Sequence, residues 1–89
     1  MKSAETLYSD IYDSIDFLED FDIEMMRVTR YGKAVSEGKT AKANAIWWLL
    51  HDSMDFLDDI DALMKRIEQY GRAMKREDTR SKKGKASCA

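Results

Sequence analysis

Apolar and small residues recur along this chain at alternating steps of four and three, the spacing of one face of an α-helix. In the first half, this stripe consists of Leu7, Ile11, Ser14, Leu18, Phe21, Met25, Val28 and Gly32. In the second half, it consists of Ile46, Leu50, Ser53, Leu57, Ile60, Met64, Ile67 and Gly71. The pattern predicts an all-α fold with a helix over about 3–35, a turn over about 36–40 and a helix over about 41–74.

Three residues mark the ends of these predicted helices. Ser3 suits a helix N-cap, Gly38 a left-handed C-cap and Thr40 the next N-cap. The chain has no proline and only four glycines, so little else in it interrupts a helix. Residues 1–74 are therefore expected to form an antiparallel helical hairpin.

The two halves of the hairpin repeat one another at an offset of 39 residues. Asp13-Ser14-Ile15-Asp16-Phe17-Leu18 returns as Asp52-Ser53-Met54-Asp55-Phe56-Leu57, and Tyr31-Gly32 returns as Tyr70-Gly71. Of the 22 positions from 13 to 34, 12 are identical to their counterparts. We interpret this as an internal duplication, with small residues such as Gly32 and Gly71 marking places where backbones approach closely.

The apolar stripe is wider than one partner helix can cover. At ~25 cal/mol per Å² of apolar surface, leaving the flanking aromatic side chains in water forgoes several kcal/mol. We therefore expect two hairpins to form a homodimeric four-helix bundle. The expected dimer interface comprises Tyr8, Ile15, Phe17, Tyr31, Trp47, Met54, Phe56 and Tyr70. A different protein is the alternative occupant of this surface.

Acidic residues dominate the middle of each half. Eight carboxylates and no basic residue lie between Glu5 and Glu24, five more lie between Asp52 and Asp61, and ten of these thirteen are Asp. Like charges three or four residues apart repel along a helix, and Asp is a poorer helix former than Glu. A solvated outer face is the simplest interpretation, but these costs favour a docking surface for a basic protein.

The residues expected to bind that partner are Asp13, Asp16, Asp20, Asp52, Asp55, Asp59 and Trp48. Trp48 is included because adjacent helical residues diverge by ~100°, so Trp47 and Trp48 cannot both enter one core seam. The sequence thus favours a non-enzymatic protein-protein interaction module. A regulator or inhibitor of the type that phages and mobile elements encode fits this size and charge, and a purely structural dimerisation module is an alternative.

A metal-dependent, all-α nucleotide pyrophosphohydrolase is the competing hypothesis. The pairs Asp13/Asp16 and Asp52/Asp55 place two carboxylates on one helix face, as magnesium ligands require, but the heptad positions direct them outward. His51 is the only histidine, so a multi-histidine zinc site is excluded. We assign no catalytic residue, metal ligand or cofactor.

Residues 75–89 are expected to form a flexible basic tail. They contain six basic and two acidic residues, so the preceding 74 residues carry a net charge of −6 within a total of −2. This charge disfavours nucleic-acid binding by the body and allows it for the tail. No apolar run approaches the length of a membrane span, and we expect a cytoplasmic protein.

Overall fold

The computed structural model describes residues 2–88, with side chains described from Lys2 to Asp78. All regular structure in that range is helical, which confirms the predicted all-α class. The helices are α1 (Ala4–Ile15), α2 (Phe21–Ser36), α3 (Thr40–Met54) and α4 (Ile60–Cys88). None of them is long and apolar enough to cross a membrane over the part of the chain described.

The predicted helix ends are confirmed at two of three positions. Ser3 caps α1, its hydroxyl accepting a hydrogen bond from the Thr6 amide at 3.2 Å. Gly38 has φ +76° in the turn after α2, a left-handed conformation that glycine adopts without steric cost. The prediction for Thr40 is wrong, because Lys39 occupies the N-cap and Thr40 is the first residue of α3.

Each of the two long helices expected from the sequence is interrupted near its middle. Residues 16–20 separate α1 from α2, and residues 55–59 separate α3 from α4. The prediction of continuous helices over about 3–35 and 41–74 is therefore wrong. The two breaks occupy equivalent positions in the 39-residue repeat.

Aspartate and leucine residues explain why the apolar pattern does not reveal the two helix breaks. Asp16 and Asp55 are the C-cap residues of α1 and α3, and Asp20 is the N-cap residue of α2. Asp is a poorer helix former than Glu, which favours a helix end at these positions, although the Asp20 side chain makes no capping hydrogen bond. Leu18 and Leu57 still pack against the core within the breaks, so the apolar stripe keeps its phase.

Side-chain contacts fix the directions of the outer helices. The Ala4 amide donates to Glu77 Oε2 at 2.6 Å, and Arg66 Nη1 donates to Ser14 Oγ at 2.8 Å. The start of α1 therefore lies beside residue 77 of α4 and its end beside residue 66, so these two helices are antiparallel. On the other side of the bundle, the turn after α2 and a 2.9 Å bond from Arg27 Nη1 to Ser53 Oγ make α2 and α3 antiparallel.

The helices α2 and α4 run in the same direction. Tyr12 contacts Phe21 edge-on, and the Tyr8 hydroxyl accepts a 3.3 Å hydrogen bond from Thr29, so α1 is also antiparallel to α2. Because α1 is antiparallel to both α2 and α4, those two helices are parallel. A single chain thus supplies an up-down-up-down bundle, with both helix breaks at one end and the α2–α3 turn at the other.

The parallel helices α2 and α4 meet at a glycine crossing formed by Tyr31, Gly32, Tyr70 and Gly71. A Cβ atom on Gly32 would lie 2.5 Å from Tyr70 Cε2, and one on Gly71 would lie 2.7 Å from Tyr31 Cε2. The close approach predicted at these glycines is confirmed. The largest fully buried side chains of the core are Ile11, Ile15, Val28, Leu50, Met54, Leu63 and Ile67.

The last helix enters the segment that the sequence assigns to a tail. α4 continues past Met74 to Cys88. Side chains after Asp78 lie outside the described residues, so the predicted flexible basic tail over 75–89 stays a prediction.

Candidate protein-binding surface

Residues 16–20 and 55–59 together form a surface that we call the acidic end. Each break is closed by the same backbone bonds, from Leu18 N to Ile15 O at 3.0 Å and from Leu57 N to Met54 O at 3.1 Å. The next turn follows in both, from Phe21 N to Leu18 O and from Ile60 N to Leu57 O, each at 3.3 Å. The two breaks therefore present equivalent side chains from equivalent backbones.

All six carboxylates of the acidic end are exposed. They are Asp16, Glu19, Asp20, Asp55, Asp58 and Asp59. Within the described residues, none of these carboxylates takes part in a salt bridge or a side-chain hydrogen bond. Since no lysine or arginine lies within either break, the acidic end is a locally uncompensated negative surface.

A phenylalanine lies among the carboxylates of each break. Phe17 is 69% exposed and Phe56 is 66% exposed. The following residues, Leu18 and Leu57, instead pack against the core and anchor the breaks. Each repeat therefore uses the leucine for its own fold and leaves the phenylalanine in water.

The residues predicted to bind a partner all lie at the surface, but they do not follow one helix face. Asp13 and Asp52 lie in the last turns of α1 and α3. Asp16, Asp20, Asp55 and Asp59 lie in the breaks. The structure brings these carboxylates together because both breaks are at the same end of the bundle.

Trp48 stands apart from this group, in the middle of α3. Its side chain is 58% exposed, and its ring meets the Trp47 ring edge-on with centroids 4.8 Å apart. Trp47 packs against the core, which confirms that only one of the two rings is taken up by the bundle. His51 lies beside both rings, with Nδ1 3.7 Å from Asp52 Oδ1.

Most residues predicted for a dimer interface are used within the single chain. Ile15, Met54, Tyr31 and Tyr70 are buried in its core. Tyr8 and Trp47 are partly buried against that core, while Phe17 and Phe56 are exposed. The breaks let one chain provide four helices, so much of the wide apolar stripe is covered without a second copy.

Sequence reasoning missed the roles of Arg27 and Arg66, which brace the bundle just below the breaks. Arg27 Nη1 donates to Ser53 Oγ and to Glu24 Oε1, both at 2.9 Å, and Glu24 is a buried carboxylate, 5% exposed. Arg66 donates to Ser14, as described above. The sequence repeat could have indicated these roles, because the 39-residue offset aligns Arg27 with Arg66 and Ser14 with Ser53.

The two bridged serines also form hydrogen bonds within their own helices. Ser14 Oγ donates to the Asp10 carbonyl and Ser53 Oγ to the Leu49 carbonyl, both at 2.8 Å. Serine hydroxyls on helices commonly bond the carbonyl one turn earlier. Each hydroxyl thus accepts from an arginine of a neighbouring helix while donating within its own helix.

The carboxylates do not form a recognisable metal centre. Over the described residues, no group of three or more His, Cys, Asp or Glu side chains is placed to hold a metal ion. Asp13, Asp16, Asp52 and Asp55, which the pyrophosphohydrolase hypothesis uses, are all exposed. Magnesium-dependent hydrolases bind their metals with carboxylates that converge in a cleft.

Comparison of the chain with protein-family models, curated proteins and solved structures finds no match.

Proposed function

We propose that this protein is a non-enzymatic interaction module, a regulator or inhibitor that docks its acidic end on a basic surface of a partner protein. The exposure of Phe17 and Phe56 among unpaired carboxylates carries the proposal. Neither phenyl ring contributes much apolar burial to the fold. Both are available to a partner at the one end of the bundle where negative charge is concentrated.

The chemistry of the acidic end defines the partner surface that fits it. Aromatic side chains are enriched at the centres of protein interfaces, where neighbouring groups exclude water. The partner would supply two apolar sockets for Phe17 and Phe56, surrounded by lysine and arginine. Charge complementarity would accelerate association at low salt, and a partner patch that otherwise binds phosphates has the appropriate charge.

Reciprocal contacts support the further proposal that the chain arose by internal duplication. Arg27 bonds Ser53 as Arg66 bonds Ser14, and Tyr31 packs on Gly71 as Tyr70 packs on Gly32. Every residue in these pairs has its counterpart 39 positions away. A duplicated pair of helices produces this arrangement when the first helix of each copy packs against the second helix of the other, as in the arginine–serine pairs, and the two second helices cross at the glycines.

The test of partner binding compares variants of the full chain. Capture from the native host and mass spectrometry would identify the partner, and calorimetry with the purified partner would give its Kd. Replacing both phenylalanines with serine should weaken binding at least 30-fold, the equivalent of a hot-spot loss of about 2 kcal/mol. Charge reversal in Asp55→Lys/Asp59→Lys should also weaken binding and reduce its salt dependence.

Met26→Ser is the matched control, because Met26 is an exposed apolar residue on the flank of α2. It should leave the Kd unchanged. A double phenylalanine variant that binds the partner as tightly as the wild type would contradict the proposed docking surface.

Self-association is a separate proposal about the flanks of the bundle. The homodimer predicted from the sequence would now use apolar residues that the single chain leaves exposed, such as Trp48 and Leu49. Sedimentation equilibrium at micromolar concentration should give twice the chain mass of 10.3 kDa. A compact species of single-chain mass would exclude the dimer under those conditions.

A further inference from the structure

The end of the bundle opposite the acidic end contains a cleft at the α2–α3 turn. Its volume is about 290 Å³, and we call it the hairpin cleft. The residues that line it are Arg30, Lys33, Ala34, Glu37, Lys39 and Lys42. Four cations and one carboxylate thus surround a small concave site in a body whose net charge is negative.

Most of the positive charge in the hairpin cleft is unpaired. Lys39 Nζ lies 3.3 Å from Glu37 Oε1, whereas Arg30, Lys33 and Lys42 form no salt bridge within the described residues. Arg30 and Lys33 are three residues apart on α2, a spacing at which like charges repel. Lys39 and Lys42 flank the start of α3, where the helix dipole also disfavours cations. Lys33, in the last turn of α2, is favourably placed for the dipole of that helix, but the Arg30–Lys33 pair and the start of α3 each hold cations that a bound anion would stabilise.

A second basic cleft, between α1 and α4, differs in this respect. Its volume is about 380 Å³, and its cations are Lys2, Arg72 and Arg76. Lys2 pairs with Asp10 at 2.8 Å, Arg72 pairs with Glu68 at 3.1 Å, and Arg76 donates to the Lys2 carbonyl at 3.4 Å. Two of the three cations are therefore paired with carboxylates and the third is hydrogen-bonded to a carbonyl, so the hairpin cleft is the stronger candidate for an anion site.

We propose that the hairpin cleft binds a compact oligophosphate, either free or as the polyphosphate group of a nucleotide. Arginine can bind a phosphate through two parallel hydrogen bonds, and lysine ammonium groups neutralise the adjacent charges. The volume lies at the lower limit of typical ligand pockets, about 300 Å³, which suits a small ligand. The site is independent of the acidic end, so either can fail without the other.

The test uses the ¹⁵N–¹H correlation spectrum of the full chain at low ionic strength, titrated with sodium tripolyphosphate. Saturable shifts should appear at amides of residues 30–42. A parallel titration with ATP should give a similar Kd if the polyphosphate alone is recognised, whereas a tighter Kd for ATP would identify a nucleotide as the ligand. Sodium sulfate at matched ionic strength should give no saturating shift.

A matched pair of double variants separates a site from general attraction. Lys33→Gln/Lys42→Gln should raise the tripolyphosphate Kd at least tenfold. Lys65→Gln/Lys75→Gln removes the same charge from exposed positions outside the cleft and should leave the Kd within twofold of the wild type.

Three results would overturn the proposal. They are shifts confined to residues after 78, equal weakening by the two double variants, and saturation by sulfate with the same Kd. A titration with an eight-residue oligothymidylate covers the remaining source of phosphate. Tighter binding of that oligonucleotide at residues 30–42 would replace the oligophosphate with a nucleic-acid strand as the ligand.

Discussion

The glycine crossing and the acidic end each contain residues that recur at the 39-residue offset, yet the recurrence has a different physical reason in each region. At the crossing, Tyr31 and Gly32 are identical to Tyr70 and Gly71 because each tyrosine occupies the space left by the glycine in the other half of the chain. At the acidic end, Phe17 and Phe56 are equally identical but contact little of the chain. Packing accounts for the first identity and not for the second.

This difference divides the repeated residues into two groups, those that packing requires and those that it does not. Identity between the two halves of the chain indicates function only for the second group. By that standard Gly32, Ser14 and Arg27 belong to the architecture, whereas the fold does not account for Phe17 and the surrounding carboxylates, which is why the proposed docking surface includes them. Substitutions in the glycine crossing should therefore lower stability. Substitutions in the acidic end should lower partner affinity and leave stability nearly unchanged.

The largest loss of stability should come from Gly71→Val. Its Cβ would lie 2.7 Å from a buried Tyr31 ring, and a β-branched residue brings little helix propensity in return. We expect the free energy of unfolding to fall by about 2–3 kcal/mol, as overpacking in a filled core does. Urea denaturation followed by circular dichroism measures it, with Ala62→Val on the exposed face of α4 as control. Equal midpoints for the two variants would disprove the tight crossing.

Arg27→Leu should cost about 2 kcal/mol, because it leaves the buried Glu24 carboxylate without its cation. Arg66→Leu is the matched variant in the other copy, where Leu63 stands at the position equivalent to Glu24. It should cost about 1 kcal/mol, the value of a hydrogen bond to Ser14. The same denaturation experiment gives both numbers, and the proposed asymmetry fails if Arg66→Leu is as damaging as Arg27→Leu.

Alkaline pH should weaken the glycine crossing by a smaller amount. Burial raises the pKa of Tyr31, as does Glu68 to a lesser degree, and burial likewise raises the pKa of Tyr70, assisted by Tyr8 and Glu77. A phenol whose pKa is higher in the folded state contributes stability that is present below its unfolded pKa, about 10, and lost as pH rises through the folded value.

Urea midpoints measured between about pH 9 and pH 11 test this sign. The wild-type midpoint should decline over that range, and Tyr31→Phe/Tyr70→Phe should decline less. Tyr12→Phe is the control, because Tyr12 is exposed and should leave the wild-type decline intact. An identical decline in the double phenylalanine variant would assign the alkaline transition to other groups.

The smallest change in stability should follow replacement of Phe17 and Phe56 by serine. Exposed substitutions usually alter the free energy of unfolding by less than about 0.5 kcal/mol. The variant should therefore keep its helicity and urea midpoint while losing partner affinity. A decrease of several kcal/mol in the free energy of unfolding would show that the phenyl rings support the fold, and it would contradict the proposed binding role.

The sequence predicted those features that depend on local chemistry. Ser3 caps a helix, Gly38 makes the turn, and Trp47 packs while Trp48 does not. It did not predict the breaks at 16–20 and 55–59, because no glycine or proline marks them and the apolar stripe crosses them in phase. The one available signal was the preference for Asp over Glu.

The missed breaks also change the argument for assembly, while the homodimer itself stays a prediction. A stripe on two long helices needs a second copy to cover it, whereas the same stripe on four short helices closes on itself. The exposure of Phe17 could not be read from the sequence, since on a continuous helix this residue would flank the core. The acidic end became visible only when both breaks were placed at one end of the bundle.

The pairing of α1 with α4 has a consequence for the order of folding during synthesis. The α2–α3 hairpin can form from neighbouring residues, but the contact between Ala4 and Glu77 spans 73 positions. Closing so large a loop delays the contact, and contacts of this kind slow folding. Because α1 leaves the ribosome before α4, its contacts with α4 must wait for that helix, and the side of α1 that α4 covers stays open until then.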